Sequence, residues 1–119
     1  MTTKEVADRL VEICRQGDFE KAQKELFAKD AISIEMHATP DFEKETKGLD
    51  AILEKGKKWT AMVEKTREMK VSEPLLVGSS FAVTMYMDVT MRGGKDMAMS
   101  ELCVYQVKDG KIVTESFTM

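Results

Sequence analysis

Several residue types are scarce in this chain. Its 119 residues include two cysteines, two prolines, one histidine and one tryptophan. Cys14 and Cys103 lie far apart with no C-x-x-C spacing, so they read as buried thiols, with a disulfide between them left open. A single histidine, His37, cannot build the two-histidine sites usual for zinc or non-haem iron; an oxygen-only metal site is left open but has no motif behind it, and no metal or cofactor is expected. No apolar run approaches the ~20 residues of a membrane span. Met1 to Leu10 lacks the apolar core of a signal peptide, which points to a cytoplasmic location. Positive charge is not in excess: 18 Lys and Arg face 21 Asp and Glu, a net charge of −3. That balance offers no electrostatic case for nucleic acid or an anionic membrane. There is no Gly-x-Ser-x-Gly and no phosphate-binding loop.

What is present describes one globular domain over residues 1–119. A chain of this length buries roughly two thirds of its unfolded surface, enough for a real core. Hydrophobic residues at 43% and charged residues at 33% are ordinary for such a domain. Ten methionines are many. Met is flexible and polarizable, so these side chains either fill gaps in the core or line an adaptable cavity. Lysines crowd residues 44–58 among acidic neighbours and read as a solvated helix face.

The N-terminal third reads as a helical hairpin. Thr2-x-x-Glu5 has the form of a capping box, and Val6, Leu10, Ile13 and Cys14 follow as one apolar stripe. Gly17 stops that helix. Asp18 caps a second one with Phe19, Ala22, Leu26 and Phe27 on its buried side. Ile32 to His37 alternates and predicts a strand, with Ser33, Glu35 and His37 sharing one face. Ala38 to Lys47 has no periodicity and reads as a mobile loop. Gly48 precedes a third helix with the stripe Leu49, Ile52, Leu53, Gly56, Trp59 and Val63. Gly56 inside that stripe suggests close approach to another element. Strands are then predicted over Thr66–Glu73, Phe81–Met91, Met97–Val107 and the run after Asp109-Gly110. The order α-α-β-α-β-β-β-β argues an α+β fold, with helices on one face of a curved antiparallel sheet.

The closing stretch, Met97 to Met119, carries two acids, Glu101 and Glu115, in strands that otherwise read as buried. Each either lines a pocket or is paired. Treating Gly93-Gly94 as a two-residue turn puts Tyr86 opposite Glu101, Thr84 opposite Cys103 and Asp88 opposite Met99. One face then holds Ala82, Thr84, Tyr86, Asp88, Met99, Glu101, Cys103 and Tyr105, apolar with a few polar groups, as a small-molecule pocket requires. The other holds Val83, Met85, Met87, Leu102 and Val104, and an exposed face of that kind predicts a homodimer packed through the outer side of the sheet.

Three segments together resemble a known family. They are Asp30-Ala-Ile-Ser-Ile-Glu35 closing the helical hairpin, Lys47-Gly-Leu-Asp-Ala-Ile52 opening the helix that carries Trp59, and Glu101-x-x-Val-Tyr-x-Val-x-Asp-Gly-Lys-Ile112-x-x-Glu-x-Phe117. The pattern resembles the SnoaL-like branch of the nuclear-transport-factor-2-like superfamily over essentially the whole chain. The resemblance implies a cone: a strongly bent sheet wrapped around three helices, with a pocket inside. It also implies pocket-facing positions for Glu115 and Phe117. Family isomerases and cyclases place an acid on the penultimate strand where this chain has Cys103, and a tyrosine in the first helix, where it has none. The expected function is therefore binding of a small hydrophobic or carbonyl-containing molecule. The residues expected to line the site are His37, Trp59, Thr84, Tyr86, Asp88, Met99, Glu101, Cys103, Tyr105, Glu115 and Phe117. The alternative is an enzyme doing acid–base chemistry beside a carbonyl, as an isomerase, cyclase or dehydratase does. Glu101 would then be the base and Tyr86 the hydrogen-bond donor. A third reading is a protein-interaction module using the outer face.

Overall fold

The computed structural model describes all residues, Met1–Met119. Helix α1 (Thr3–Arg15) opens on the capping box. The Thr2 hydroxyl accepts from Glu5 N at 3.1 Å, and Thr2 N donates to Glu5 Oε1 at 2.9 Å. Asp18 caps α2 (Phe19–Leu26) by accepting from Lys21 N at 3.1 Å. Caps of this kind stabilise a helix by ~1 kcal/mol each. The buried stripe of α1 is Val6, Ala7, Leu10, Val11, Ile13 and Cys14.

Strand β1 (Phe27–Ile34) follows α2 without a loop and begins well before Ile32. Phe27 continues the apolar spacing of α2, yet its backbone is already extended, at φ −88° and ψ 142°. The following segment carries hydrogen bonds of its own. Glu35 N donates to the Lys44 carbonyl at 2.7 Å, and Thr39 Oγ1 accepts from Phe42 N at 3.0 Å. Lys58 reaches the Asp41 carbonyl from α3 (Leu49–Met62), its ammonium 5.2 Å from the Phe42 ring centre. The segment ends in a short strand, β2 (Glu45–Lys47), paired with β1.

After α3 come β3 (Val63–Val71), β4 (Leu75–Val77), β5 (Ser80–Met91), β6 (Asp96–Lys108) and β7 (Lys111–Thr118). The seven strands make one long, curved, unclosed sheet in the order β2-β1-β7-β6-β5-β3, with β4 also on β5. It is mixed rather than wholly antiparallel, because β1 runs parallel to β7. The helices cover one face. Their apolar stripes and the inner residues of the sheet form a single core containing Leu10, Leu26, Ile52, Val83 and Ile112, with Phe81 and Tyr105 stacked at a centroid distance of 4.9 Å. No helix is long and apolar enough to cross a membrane.

Register between β5 and β6 differs by one residue from the two-residue-turn expectation. Tyr86 stands opposite Ser100, Met85 opposite Glu101, Val83 opposite Cys103 and Phe81 opposite Tyr105. The cause is the turn. Met91 N donates to the Lys95 carbonyl at 2.7 Å, so Arg92, Gly93 and Gly94 form a three-residue loop. Arg92 is held elsewhere: its N–H donates to the Met62 carbonyl at 2.9 Å and its Nε to the Ala61 carbonyl at 2.6 Å, both at the end of α3. A one-residue slip exchanges the faces of one strand against its neighbour. Thr84, Tyr86 and Asp88 therefore lie on the outer face, away from Met99, Glu101, Cys103 and Tyr105. Val83, Met85 and Met87 point inward, and Val83 and Met85 are buried. The outer face keeps Leu102 and Val104 from the expected apolar set, beside Ala82, Ile32 and Ile34, and is less apolar than the sequence suggested.

Candidate functional site

Three neighbouring strands and a helix converge on one buried carboxylate. Ser33 of β1 pairs with Glu115 of β7, which pairs with Tyr105 of β6. Directly opposed residues share a face, so these three side chains stand in one row on the inner side of the sheet. The row beside it holds Phe117 and Cys103, and the one beyond that holds Glu101. Lys55 enters from α3. It sits three positions after the fully buried Ile52 and four before Trp59, on the inward side of the helix.

The polar contacts form a chain. The Ser33 hydroxyl donates to Glu115 Oε1 at 2.8 Å, and Lys55 Nζ donates to Ser33 Oγ at 2.7 Å. Lys55 Nζ is also 3.7 Å from Glu35 Oε1 and 5.5 Å from the Phe117 ring centre. Ser33 and Glu115 are the only buried polar residues of the fold, at 0% and 6% exposure. The Lys55 and Glu35 side chains are 16% and 31% exposed and form the rim above them.

Burial dominates the proton equilibria. It pushes the Glu115 carboxyl up to about 7, against the Ser33 hydrogen bond and the Lys55 charge, with Glu35 and Glu101 adding to the rise. Burial also raises Glu101, helped by Glu35 and opposed by Lys55. The Cys103 thiol is raised chiefly by burial and then by the two carboxylates, and the Tyr105 hydroxyl likewise. Burial takes the Cys14 thiol up to about 12. Both cysteines are free, and neither is a nucleophile near neutral pH. A carboxyl that titrates near neutrality is suited to taking up and returning a proton.

The sequence-expected residues divide into three groups. Met99, Glu101, Cys103, Tyr105, Glu115 and Phe117 share the inner face. Thr84, Tyr86 and Asp88 are outside: Thr84 N–H bonds Ser72 Oγ at 2.8 Å, the Tyr86 ring lies under the Lys70 ammonium at 5.7 Å, and Asp88 pairs with Arg67. The pairing of Glu101 with Tyr86 does not form. His37 is exposed past the end of β1, and Trp59 is half-buried on α3. The expected set omits Lys55, and also Ser33 and Glu35, although the sequence puts both on one strand face with His37. The readable signal was a lysine at the spacing of the apolar stripe of α3, facing a strand whose polar alternation includes Ser33 and Glu35. A surface groove of about 370 Å³, lined by Asp8, Glu12, Arg15 and Glu73 among others, contains none of these residues.

The fold and this inner-face cluster place the protein in the class of α+β cones built from a bent sheet around helices. A SnoaL-like domain profile matches residues 1–119, and the chain belongs to that family. It is similar to a candidate SnoaL-like polyketide cyclase, also described as a carbohydrate phosphatase, from Mesorhizobium loti. The two are 31% identical over 100% of both chains, with a TM-score of 0.90. A protein of unknown function with a cystatin-like fold from Xanthomonas campestris is 16% identical, over 98% of this chain and 89% of that one, with a TM-score of 0.82. A hypothetical protein with a ketosteroid isomerase-like fold from Catenulispora acidiphila, in complex with trimethylamine, is 14% identical over 97% of this chain and 85% of that one, with a TM-score of 0.71. The last two likenesses concern the fold alone. No curated protein matches the chain.

Proposed function

We propose that this protein binds a small, largely apolar carbonyl compound against the inner face of its sheet, at the rim formed by Glu35, Lys55, Glu101 and Phe117. The observation that carries the reading is the chain from Lys55 through Ser33 to Glu115 beneath that rim. A buried carboxyl costs stability unless hydrogen bonds compensate it, and buried titratable groups with charged partners cluster at functional sites. The inner residues Met69, Met87, Met97 and Met99 continue the same face and supply adaptable apolar surface. A panel of hydrophobic aldehydes and ketones should contain a compound that raises the melting temperature saturably, with the rise reduced in Glu101→Gln. A panel without any saturable rise would count against binding.

A second reading, acid–base turnover beside the carbonyl, is favoured by one observation: Glu115 is buried, at 6% exposure, with its carboxyl on the Ser33 hydroxyl, and that burial pushes it up to about 7, where it can both accept and donate a proton. Glu115, rather than Glu101, is then the base. Glu115→Gln should abolish turnover of a bound compound while leaving its binding within severalfold. Full turnover in that variant would remove Glu115 from the chemistry.

We also propose that two copies pair through the outer face, where Ile32, Ile34, Ala82, Leu102 and Val104 gather, with Leu75 and Val77 of β4 at 77% and 82% exposure nearby. Light scattering that gives a monomer mass at micromolar concentration would remove this pairing.

A further inference from the structure

We propose that Lys55 is a positioning residue for Glu115: acting through the Ser33 hydroxyl, it commits Oε1 of the carboxyl to a fixed hydrogen bond and leaves Oε2 as the oxygen that exchanges the proton. The inference rests on the reading of Glu115 as the proton-transfer group.

The supply of donors and acceptors fixes this arrangement. A serine hydroxyl has one hydrogen and two lone pairs, and a lysine ammonium can only donate. At 2.7 Å, Lys55 must donate into a lone pair of Ser33 Oγ. The single Ser33 hydrogen is then directed at Glu115 Oε1, 2.8 Å away. Ser33 has no exposed surface, so no solvent competes for its hydroxyl. Oε2 of Glu115 takes no hydrogen bond, and no fully buried side-chain oxygen of the fold lacks a partner. Oε2 is therefore the oxygen that touches solvent or ligand. The groups facing the carboxyl are Ser33 from β1 and Glu35 just past its end, Lys55 from α3, Glu101, Cys103 and Tyr105 from β6, and Cys14 from α1. Lys55 is the one cation among them, and it reaches the carboxyl through Ser33.

A double-substitution cycle read by carboxyl ¹³C NMR titration tests this, with the Glu115 resonance assigned by its loss in Glu115→Gln. Lys55→Met should raise the proton affinity of Glu115 at least ~3-fold in the otherwise unchanged protein. The same change made in Ser33→Ala should have less than about half that effect on a logarithmic scale, because the path it acts through is already cut. Lys55→Arg should keep the midpoint within ~2-fold, since charge and donor persist. If Lys55→Met does not fold, Lys55→Gln takes its place under the same criteria. An equal shift in both backgrounds would show that Lys55 acts by charge alone and overturn the proposal, as would no shift in either. Turnover measured beside the titration separates the two readings. Unchanged turnover in Glu115→Gln would refute the catalytic role of Glu115 while the coupling among the three residues stood.

Discussion

Ser33 and Glu115 are register partners across the only parallel strand pair of the sheet, and the hydroxyl of one donates to the carboxyl of the other at 2.8 Å. The pair is fixed by topology: β1 and β7 come from opposite ends of the chain and meet only in the folded sheet. The proton equilibrium of Glu115 is thereby a property of the native state, with consequences for stability.

The first prediction concerns pH. The folded Glu115 carboxyl is raised to about 7 from 4.5. The native state therefore binds more protons than the unfolded chain between those values, and stability falls as pH rises. The contribution is fully present below about pH 4.5 and is lost as pH passes through about 7. At ~1.36 kcal/mol per unit, the loss is on the order of 3 kcal/mol. Glu101, raised in the same direction, adds to the slope. Urea unfolding at pH 5 and pH 8 should show this fall, and Glu115→Gln, which stays neutral, should flatten it. Equal slopes in the two proteins would contradict the assignment.

A second prediction follows from the β5–β6 register. Tyr86 lies outside under Lys70, so Tyr86→Phe should change stability by less than ~0.5 kcal/mol and leave ligand affinity unaltered. Tyr105, stacked on Phe81 and 2% exposed, is different: Tyr105→Ala should cost ~3–5 kcal/mol. Thermal and chemical melts of both variants check the pair. A ligand-binding defect in Tyr86→Phe would restore the alternative register.

Gly56 supplies a third. A β-carbon there would meet Gln23 Oε1 at 3.6 Å, an ordinary contact. The close approach expected of this glycine is not tight enough to exclude alanine. Gly56→Ala should therefore stabilise α3 by ~0.5–1 kcal/mol, through helix propensity and a less flexible unfolded chain. A destabilised variant would mean that α2 and α3 pack more closely than the structure describes.

The fourth concerns the β6–β7 turn. Asp109 and Gly110 have φ of 52° and 76°, the left-handed pair of a tight hairpin turn. A β-carbon on Gly110 would also lie 2.9 Å from Met1 N. Gly110→Ala should cost ~1–2 kcal/mol, measurable as a lower denaturant midpoint with an unchanged slope.

Much of this fold was readable in the amino-acid order because local chemistry decided it. Thr2, Glu5 and Asp18 mark the two helix starts, Gly48 precedes the third, and Asp109-Gly110 sets the last hairpin. What escaped was decided by partners distant in sequence. The apolar spacing of α2 runs through Phe27, where pairing to Ile112 of β7 turns the chain extended. β4 is three residues between Pro74 and Gly78 and exists only through its pairing with β5. The Gly93-Gly94 turn was misjudged because the end of α3 holds Arg92, a contact across the tertiary structure. Part of the candidate site shared that fate. Glu101, Cys103, Tyr105 and Glu115 came correctly to one face, since alternation within a strand is local. Thr84, Tyr86 and Asp88 went to the wrong face with the register. Lys55 was hidden among lysines that are otherwise solvated, and only its spacing from Ile52 and Trp59 set it apart.

One proton, on the Glu115 carboxyl, links the buried cluster to the proposed chemistry. A ¹³C titration of that carboxyl in the folded protein is the most direct test of the link. A midpoint near about 7 is the predicted result. A midpoint in the ordinary glutamate range, about 4.3, would mean that the carboxyl is hydrated or fully ion-paired, and would contradict both the buried cluster and the function built on it.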